Sequence, residues 1–129
     1  MIKRLLGSKI LEAAKKMPVI AVTGPRQSGK STLVKEIFPD YKYVNLEDIE
    51  MRKFAKDDPK GFLKNLGNRV IIDEVQNVPD LFSYIQVLVD EEKTTGRFIL
   101  SGSQNLQLME SISQSLAGRV AILIYCLFR

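Results

Sequence analysis

The chain has 129 residues, a length that corresponds to one domain with a single core. Hydrophobic residues make up 45% of it and charged residues 26%, which argues against wholesale disorder and fibrous architectures. The net charge of +4 suits an anionic ligand and permits nucleic acid without establishing either. One cysteine and no histidine exclude an internal disulfide, Cys or His metal clusters and histidine-based triads.

The apolar runs fall far short of the ~20 residues that span a bilayer. The first residues also lack the apolar core and cleavage site of a signal peptide, so we expect a cytoplasmic chain with no membrane partner. Helical spacing of Ile2, Leu6 and Ile10 predicts an amphipathic helix over residues 2–17. Its lysines leave two interpretations open: a helix packed on its own domain, which we favour, and a helix lying on a membrane surface.

Five apolar segments predict strands, at residues 19–22, 41–45, 70–74, 97–100 and 120–125. A helix is expected to follow Thr32 and to end before Pro39. Further helices are expected in residues 47–66 as one or two pieces broken near Pro59, from residue 79, and in residues 105–117 as one or two pieces. The helix from residue 79 has a predicted buried stripe of Leu81, Tyr84, Ile85, Leu88 and Val89. Because strands alternate with helices, the sequence predicts an α/β fold with a mostly parallel sheet.

A phosphate-binding loop follows the first predicted strand. Residues 24–31 match the pattern G-x-x-x-x-G-K-S in full, between a buried strand and a helix. The glycines let backbone N–H groups point at phosphate oxygens, while Lys30 supplies charge for the β- and γ-phosphates and Ser31 a hydroxyl for Mg²⁺. The predicted nucleotide-binding residues are Gly24, Pro25, Arg26, Gln27, Ser28, Gly29, Lys30, Ser31 and Thr32.

Two carboxylates end the third predicted strand. Ligands bind at the carboxyl ends of strands in open α/β sheets, so Asp73 is predicted to hold the Mg²⁺ shell and Glu74 to polarise the attacking water. The alternative is a strand end with two solvated carboxylates. Glu74 argues against a small-molecule kinase. In such a kinase the acceptor substrate takes the place of the attacking water, so a second carboxylate that activates water is often absent.

Several polar residues are weaker candidates. Ser103 and Gln104 end the fourth strand, where one of them is predicted to sense the γ-phosphate; the alternative for Ser103 is a helix cap. Asn45 ends the second strand, either as a turn former, which we favour, or as an amide that restrains the catalytic carboxylate. Arg119 is predicted to reach the γ-phosphate of a neighbouring subunit; the alternatives are a surface arginine and a structural ion-pair partner.

With these residues in place, the sequence resembles the prokaryotic AAA+-like P-loop ATPases whose AAA domain precedes a C-terminal domain of unknown function. Five blocks carry the resemblance in order: TGPRQSGKST at 23–32, YVNLED at 43–48, IIDEVQ at 71–76, FILSGSQ at 98–104 and SLAGRV at 115–120. The resemblance implies a three-layer α/β/α sandwich with a five-stranded sheet of order 5-1-4-3-2. It also implies ATP and Mg²⁺ as ligands, hydrolysis of ATP to ADP and phosphate, and a homo-oligomer.

Residues 1–129 are expected to form the ATP-binding core alone, without the C-terminal lid and specificity domain through which relatives would contact a protein partner or DNA. The chain resembles a core shortened after its fifth strand, in which phosphate binding is expected to persist while hydrolysis depends on the intact family context. The alternatives are a nucleotide-dependent protein- or DNA-binding switch with little turnover of its own, and a remnant that folds poorly.

Overall fold

The computed structural model of the chain describes residues 2–25, 29–103 and 105–125, and for residues 2–4 and 106 it describes the backbone only. Within these residues, one sheet contains all the strands, in the order β2-β3-β4-β1-β5. The strands are β1 (Val19–Gly24), β2 (Lys42–Asn45), β3 (Val70–Asp73), β4 (Phe98–Ser103) and β5 (Val120–Ile124). Every pairing is parallel. The predicted order, 5-1-4-3-2, is therefore confirmed.

Six helices accompany the strands in the part of the chain that the structure describes, one before β1 and five between successive strands. They are α1 (Ile2–Ala14), α2 (Lys30–Ile37), α3 (Ile49–Asp57), α4 (Pro59–Leu66), α5 (Leu81–Glu91) and α6 (Leu106–Leu116), with a short 3₁₀ helix at Val75–Asn77. The segment 47–66 thus forms two helices, and the segment 105–117 forms one. None of these helices is long and apolar enough to cross a membrane.

The break between α3 and α4 has a local cause in the sequence. Asp58 ends α3, and its side chain accepts a hydrogen bond from the Gly61 N–H at 3.0 Å at the start of α4. Pro59 follows as the first residue of α4, a position where the missing N–H of proline costs nothing. A proline also disfavours helical backbone at the residue before it, so one helix cannot run through this point.

The sheet separates two apolar layers, as a three-layer α/β/α sandwich requires. On one face, Ile10 of α1 and Leu33 and Val34 of α2 pack against alternate residues of the strands. On the other face, α3 to α6 cover the remaining strand residues with a larger cluster that includes Phe62 and Phe82. Strand β1 lies inside the sheet and is buried along its whole length, which explains its continuous apolar sequence.

One predicted core residue was wrong. Tyr84 of α5 is 37% exposed, whereas Phe82, which was not in the predicted stripe, is buried at 1%. The buried residues of α5 are Leu81, Phe82, Ile85 and Val89. The core-facing stripe is therefore rotated toward Phe82, which leaves the phenol of Tyr84 at the surface, where its hydroxyl can be hydrated.

Candidate functional site

The site lies at the carboxyl edge of the sheet, where the ends of four strands meet. Strand register places Gly24 of β1 beside Ser103 of β4, and Asn45 of β2 beside Asp73 of β3. Helix α2 begins at Lys30, six residues after β1 ends at Gly24, so its amino end faces the same edge. A helix amino terminus attracts anions because its first N–H groups are unpaired and its dipole is positive there.

Both glycines of the phosphate-binding loop meet a backbone requirement. A Cβ atom on Gly24 would lie 2.5 Å from the carbonyl oxygen of Tyr125, so only glycine lets the chain after β5 pass so closely. Gly29 has φ of 91°, a left-handed conformation that other residues rarely adopt. Of the four residues between them in the motif, Arg26, Gln27 and Ser28 lie outside the described residues.

Lys30 is the first residue of α2, and its side chain reaches back to Pro25. The residue is only 3% exposed, and its Nζ donates a hydrogen bond to the Pro25 carbonyl at 3.3 Å. A buried ammonium group loses much of its hydration, so it needs hydrogen-bond acceptors nearby. The loop carbonyl is one such acceptor, and phosphate oxygens of a ligand would be stronger ones. Thr32, the last residue of the predicted loop set, is exposed on α2.

The carboxylate of Asp73 is the best-connected group in the site. Its Oδ2 accepts hydrogen bonds from the hydroxyls of Ser31 at 2.5 Å and Tyr43 at 2.7 Å. Its Oδ1 accepts from the Ser101 hydroxyl at 2.7 Å and from the Glu74 N–H at 2.9 Å. These donors belong to α2, β2, β4 and the residue after β3, so the contact between Ser31 and Asp73 joins the loop motif to the acidic motif.

The hydrogen bonds also decide the charge of this carboxylate. Burial acts to raise the pKa of Asp73, but the donors Ser31, Tyr43, Ser101 and the Glu74 N–H together hold its pKa below the usual value. Burial and the neighbouring Asp73 carboxylate raise the pKa of the Tyr43 hydroxyl, which therefore stays protonated and keeps donating. Asp73 is thus ionised at neutral pH although it is almost fully buried.

Glu74 has an unusual backbone. It adopts φ of 55° and ψ of 45°, the left-handed region, and it is the sole described residue other than glycine with a positive φ. Strain of this kind clusters at functional sites, because the surrounding structure must hold it in place. The Glu74 Oε1 accepts a hydrogen bond from Gln76 Nε2 at 2.7 Å, so the carboxylate has a defined partner.

Ser103 lies at the last position of β4, next to the loop strand. Its N–H donates to Gln76 Oε1 at 3.3 Å, and its side chain is half-buried. The alternative role as a helix cap belongs to another residue, since the Asn105 side chain accepts from the Leu108 N–H at 2.7 Å and caps α6. The role of Ser103 as a phosphate sensor stays a prediction, and Gln104 lies outside the described residues.

Asn45 takes the turn-forming contact that we favoured. Its Oδ1 accepts a hydrogen bond from the Glu47 N–H at 2.9 Å, the pattern of an Asx turn after β2. The group that bonds the Glu74 carboxylate is instead the Gln76 amide, on the 3₁₀ helix that follows β3.

Arg119 lies at the opposite edge of the sheet from the phosphate-binding loop. It directly precedes β5, whose first residue, Val120, pairs with the first residue of β1. Its Nε and Nη2 donate to the two oxygens of Asp90 at 2.7 and 2.9 Å. This pairing raises the pKa of Arg119 and lowers that of Asp90. Within one chain the structure therefore favours the ion-pair interpretation, and a role on a neighbouring subunit stays a prediction.

Three residues at the site were missed by sequence reasoning: Tyr43, Ser101 and Gln76. Tyr43 and Ser101 each lie two residues before the end of a strand, and Gln76 lies three residues after the end of β3. A polar side chain near a strand's carboxyl end was the available signal. What the sequence did not provide is the pairing register that places Tyr43 and Ser101 around Asp73.

The oxygen atoms of Asp73 and Ser31 are suitable ligands for a hard divalent cation that also binds phosphate oxygens. The described residues contain no group of three or more His, Cys, Asp or Glu side chains arranged to hold a metal by themselves. One ionised carboxylate and one serine hydroxyl match the way Mg²⁺ binds in phosphate sites, where phosphate oxygens and waters complete its coordination. The cavities of about 670 and 440 Å³ lie elsewhere, between α4 and α5 and beside Arg119.

The fold is that of a P-loop nucleotide-binding domain of the AAA+ type. Its defining features are the buried strand β1, the glycine motif after it, the amino end of α2 and the strand order of the sheet. The chain belongs to the family AAA_14, described as an AAA domain, which matches residues 16–128. The predicted family and fold class are both confirmed.

Two curated mycobacterial relatives are 36% identical over 123 residues: the uncharacterized protein Rv2008c of Mycobacterium tuberculosis and the uncharacterized protein Mb2031c of Mycobacterium bovis. The match covers 93% of this chain and 27% of each relative, so the chain spans about a quarter of their length.

Solved structures with the same fold include two AAA+ proteins. The RuvB Holliday junction branch migration motor of Thermotoga maritima aligns with a TM-score of 0.54 and 17% identity over 99% of this chain and 45% of that one. PCH-2 of C. elegans aligns with a TM-score of 0.51 and 13% identity over 95% of this chain and 41% of that one. At these identities the likeness concerns the fold.

Proposed function

We propose that this chain binds ATP together with Mg²⁺ and hydrolyses ATP to ADP and phosphate. The observation that carries the proposal is the contact between Ser31 of the loop and Asp73 of β3 at 2.5 Å, with Glu74 next in the chain. A serine hydroxyl and an ionised carboxylate in contact at the amino end of a helix are the protein ligands that a phosphate-bound Mg²⁺ uses.

Each residue then has a distinct task. The backbone around Gly24 and Gly29 and the ammonium of Lys30 bind the phosphates, while Ser31 and Asp73 would hold the metal ion. A bound Mg²⁺ neutralises phosphate charge. Glu74 orients the attacking water and accepts its proton, as the water oxygen bonds to the γ-phosphorus and the bond to the β–γ bridging oxygen breaks.

Substituting Glu74 by Gln separates binding from turnover. The amide keeps the size of the side chain but cannot accept a proton, so we expect phosphate release to fall by about 10²–10⁴-fold. Binding of Mg-ATP, measured as the rise in the thermal unfolding midpoint, should persist because Lys30, Ser31 and Asp73 are unchanged. Glu110→Gln is the matched control, since Glu110 is exposed on α6.

The possible results have different meanings. Phosphate release at the wild-type rate in Glu74→Gln would show that another group activates the water. A wild-type chain that binds Mg-ATP but releases no phosphate would contradict hydrolysis and support the nucleotide-dependent switch instead. A folded chain whose midpoint ignores Mg-ATP would contradict the whole proposal.

A further inference from the structure

We infer that Gln76 is a positioning residue, which holds the carboxylate of Glu74 in a fixed place relative to the end of β4. The inference rests on the proposed function, because it assigns a role in ATP hydrolysis. It depends on contacts that involve neither the loop nor the metal ligands. The geometry points to a coupling that runs from Ser103 through one side-chain amide to the proposed base.

The amide of Gln76 bridges two strands. Its Nε2 donates to Glu74 Oε1 at 2.7 Å, and its Oε1 accepts from the Ser103 N–H at 3.3 Å. A backbone N–H only donates and an ionised carboxylate only accepts, so these partners determine which way the amide is oriented. Glutamine meets both needs, whereas glutamate would lose the donor and leucine would lose both bonds.

Gly102 gives the amide its room. A Cβ atom on Gly102 would collide with Gln76 Oε1, so the side chain of Gln76 lies directly over the backbone of β4 at this glycine. Gly102 has an ordinary backbone conformation, because it is absent from the described glycines with positive φ. An alanine at position 102 therefore strains no dihedral angle, and it acts by displacing the end of a flexible side chain.

Glu74 needs such a partner more than an ordinary strand residue would. Its left-handed backbone places it outside the regular geometry of β3, and its side chain is largely buried, with 9% of the residue exposed. A base must be held close to its reactive geometry, and a misplacement of about 1 Å can cost about 100-fold in rate. The Gln76 hydrogen bond limits the positions that this carboxylate can take.

The test compares Gln76→Leu, Gly102→Ala and the double variant with the wild-type chain. For each protein, steady-state phosphate release gives kcat and KM, and the midpoint shift with Mg-ATP gives binding. We expect each single variant to lose about 10- to 100-fold in kcat with unchanged ATP binding. Because both act through the same amide, the double variant should be no slower than Gln76→Leu alone. Gln114→Leu, on the exposed side of α6, is the matched control.

The outcomes separate this inference from the proposed function. If the wild-type chain releases no phosphate, the proposed function and the inference fall together. If the wild-type chain is active and Gln76→Leu retains its kcat, the inference alone is overturned. It is also overturned if the two single losses multiply in the double variant, or if ATP binding weakens in parallel with kcat, since a merely structural role for Gln76 would produce either result.

Discussion

The two edges of the sheet use hydrogen-bonding side chains in opposite ways. At the carboxyl edge, hydroxyls of Ser31, Tyr43 and Ser101 from three separate elements converge on one buried carboxylate. At the amino edge, Arg119 pairs with Asp90 in the open, and Tyr41 donates to the Gly96 carbonyl at 2.5 Å. The amino-edge contacts join the ends of neighbouring elements, and the charges there neutralise each other.

The two edges differ in whether their charged groups neutralise each other. In the Arg119–Asp90 pair the two charges neutralise each other, so the pair attracts a charged ligand only weakly. At the carboxyl edge, Lys30 donates to a neutral carbonyl and Asp73 accepts from neutral hydroxyls, so both formal charges persist. A phosphate group and a cation would be bound by such separated charges, and desolvation makes each interaction stronger.

The largest effect is expected for Lys30→Ala, which removes the buried ammonium of the loop. Mg-ATP at about 100 times its dissociation constant should stabilise the wild-type chain by about 2.7 kcal/mol, and the variant should lose most of that gain. Thermal unfolding with and without Mg-ATP measures the difference. Lys53→Ala is the control because Lys53 is exposed on α3, far from the loop in sequence. If Mg-ATP raised the unfolding midpoint of Lys30→Ala as much as that of the wild type, the proposal that this edge binds the phosphates would be contradicted.

A smaller effect is expected for Ser31→Ala. The variant keeps the loop backbone and Lys30 but loses the hydroxyl that contacts Asp73. ATP should therefore still bind, while the gain in affinity produced by Mg²⁺ should shrink by about tenfold or more. Titrating ATP at several Mg²⁺ concentrations measures this gain. Ser113→Ala, on the exposed side of α6, should leave it unchanged. Equal behaviour of the two variants would contradict the predicted metal role of Ser31.

Asp73 should make the stability of the chain fall in acid. Its pKa is lowered in the folded state, so between the folded and the unfolded pKa the unfolded chain binds a proton that the folded chain does not. The stabilisation is thus complete above the unfolded value of about 4 and is lost as the pH falls through the folded value. Urea unfolding between pH 6 and pH 3 should show a steeper loss in the wild type than in Asp73→Asn.

The control for this comparison is Asp80→Asn, because Asp80 is exposed at the start of α5 and its side chain makes no capping hydrogen bond. That variant should retain the wild-type dependence on pH. An equally steep acid loss in Asp73→Asn would mean that the hydrogen bonds around this carboxylate do not favour its charged form.

The smallest effect is expected at the amino edge. Arg119→Ala breaks an exposed ion pair, which contributes little because water and salt screen it, so the unfolding midpoint should fall only slightly. Phosphate release should be unchanged, since Arg119 lies at the edge away from the loop. A loss of kcat that depends on protein concentration would contradict a purely structural role for the amino edge, because Arg119 would then act on the site of a neighbouring subunit.

Much of the fold followed from local patterns in the sequence. Largely apolar segments identified the strands, and the glycine motif identified β1 as the strand that precedes the predicted phosphate-binding loop. The stripe of α5 was partly wrong, because Phe82 and Tyr84 differ little in hydrophobicity and only the packing of α5 against the sheet decides between them. Local pattern describes an element well but describes its rotation about its own axis less well.

The motif residues of the site were predictable, and their partners were not. Lys30, Ser31, Asp73 and Glu74 belong to short motifs whose position after a strand predicts their roles, and those roles stay predictions. Tyr43 contacts Asp73 from 30 positions away and Ser101 from 28, so both contacts depend on how β2, β3 and β4 align. A single sequence contains no direct signal for that alignment.

The left-handed backbone of Glu74 implies a trade between durability and activity. Holding a residue with a Cβ atom in that region costs about 1–2 kcal/mol, whereas glycine would adopt the same conformation without that penalty. Glycine at this position would therefore increase the stability of the fold, but the carboxylate would be lost. Retaining glutamate there makes this turn a place where the protein is less stable than its length and fold permit.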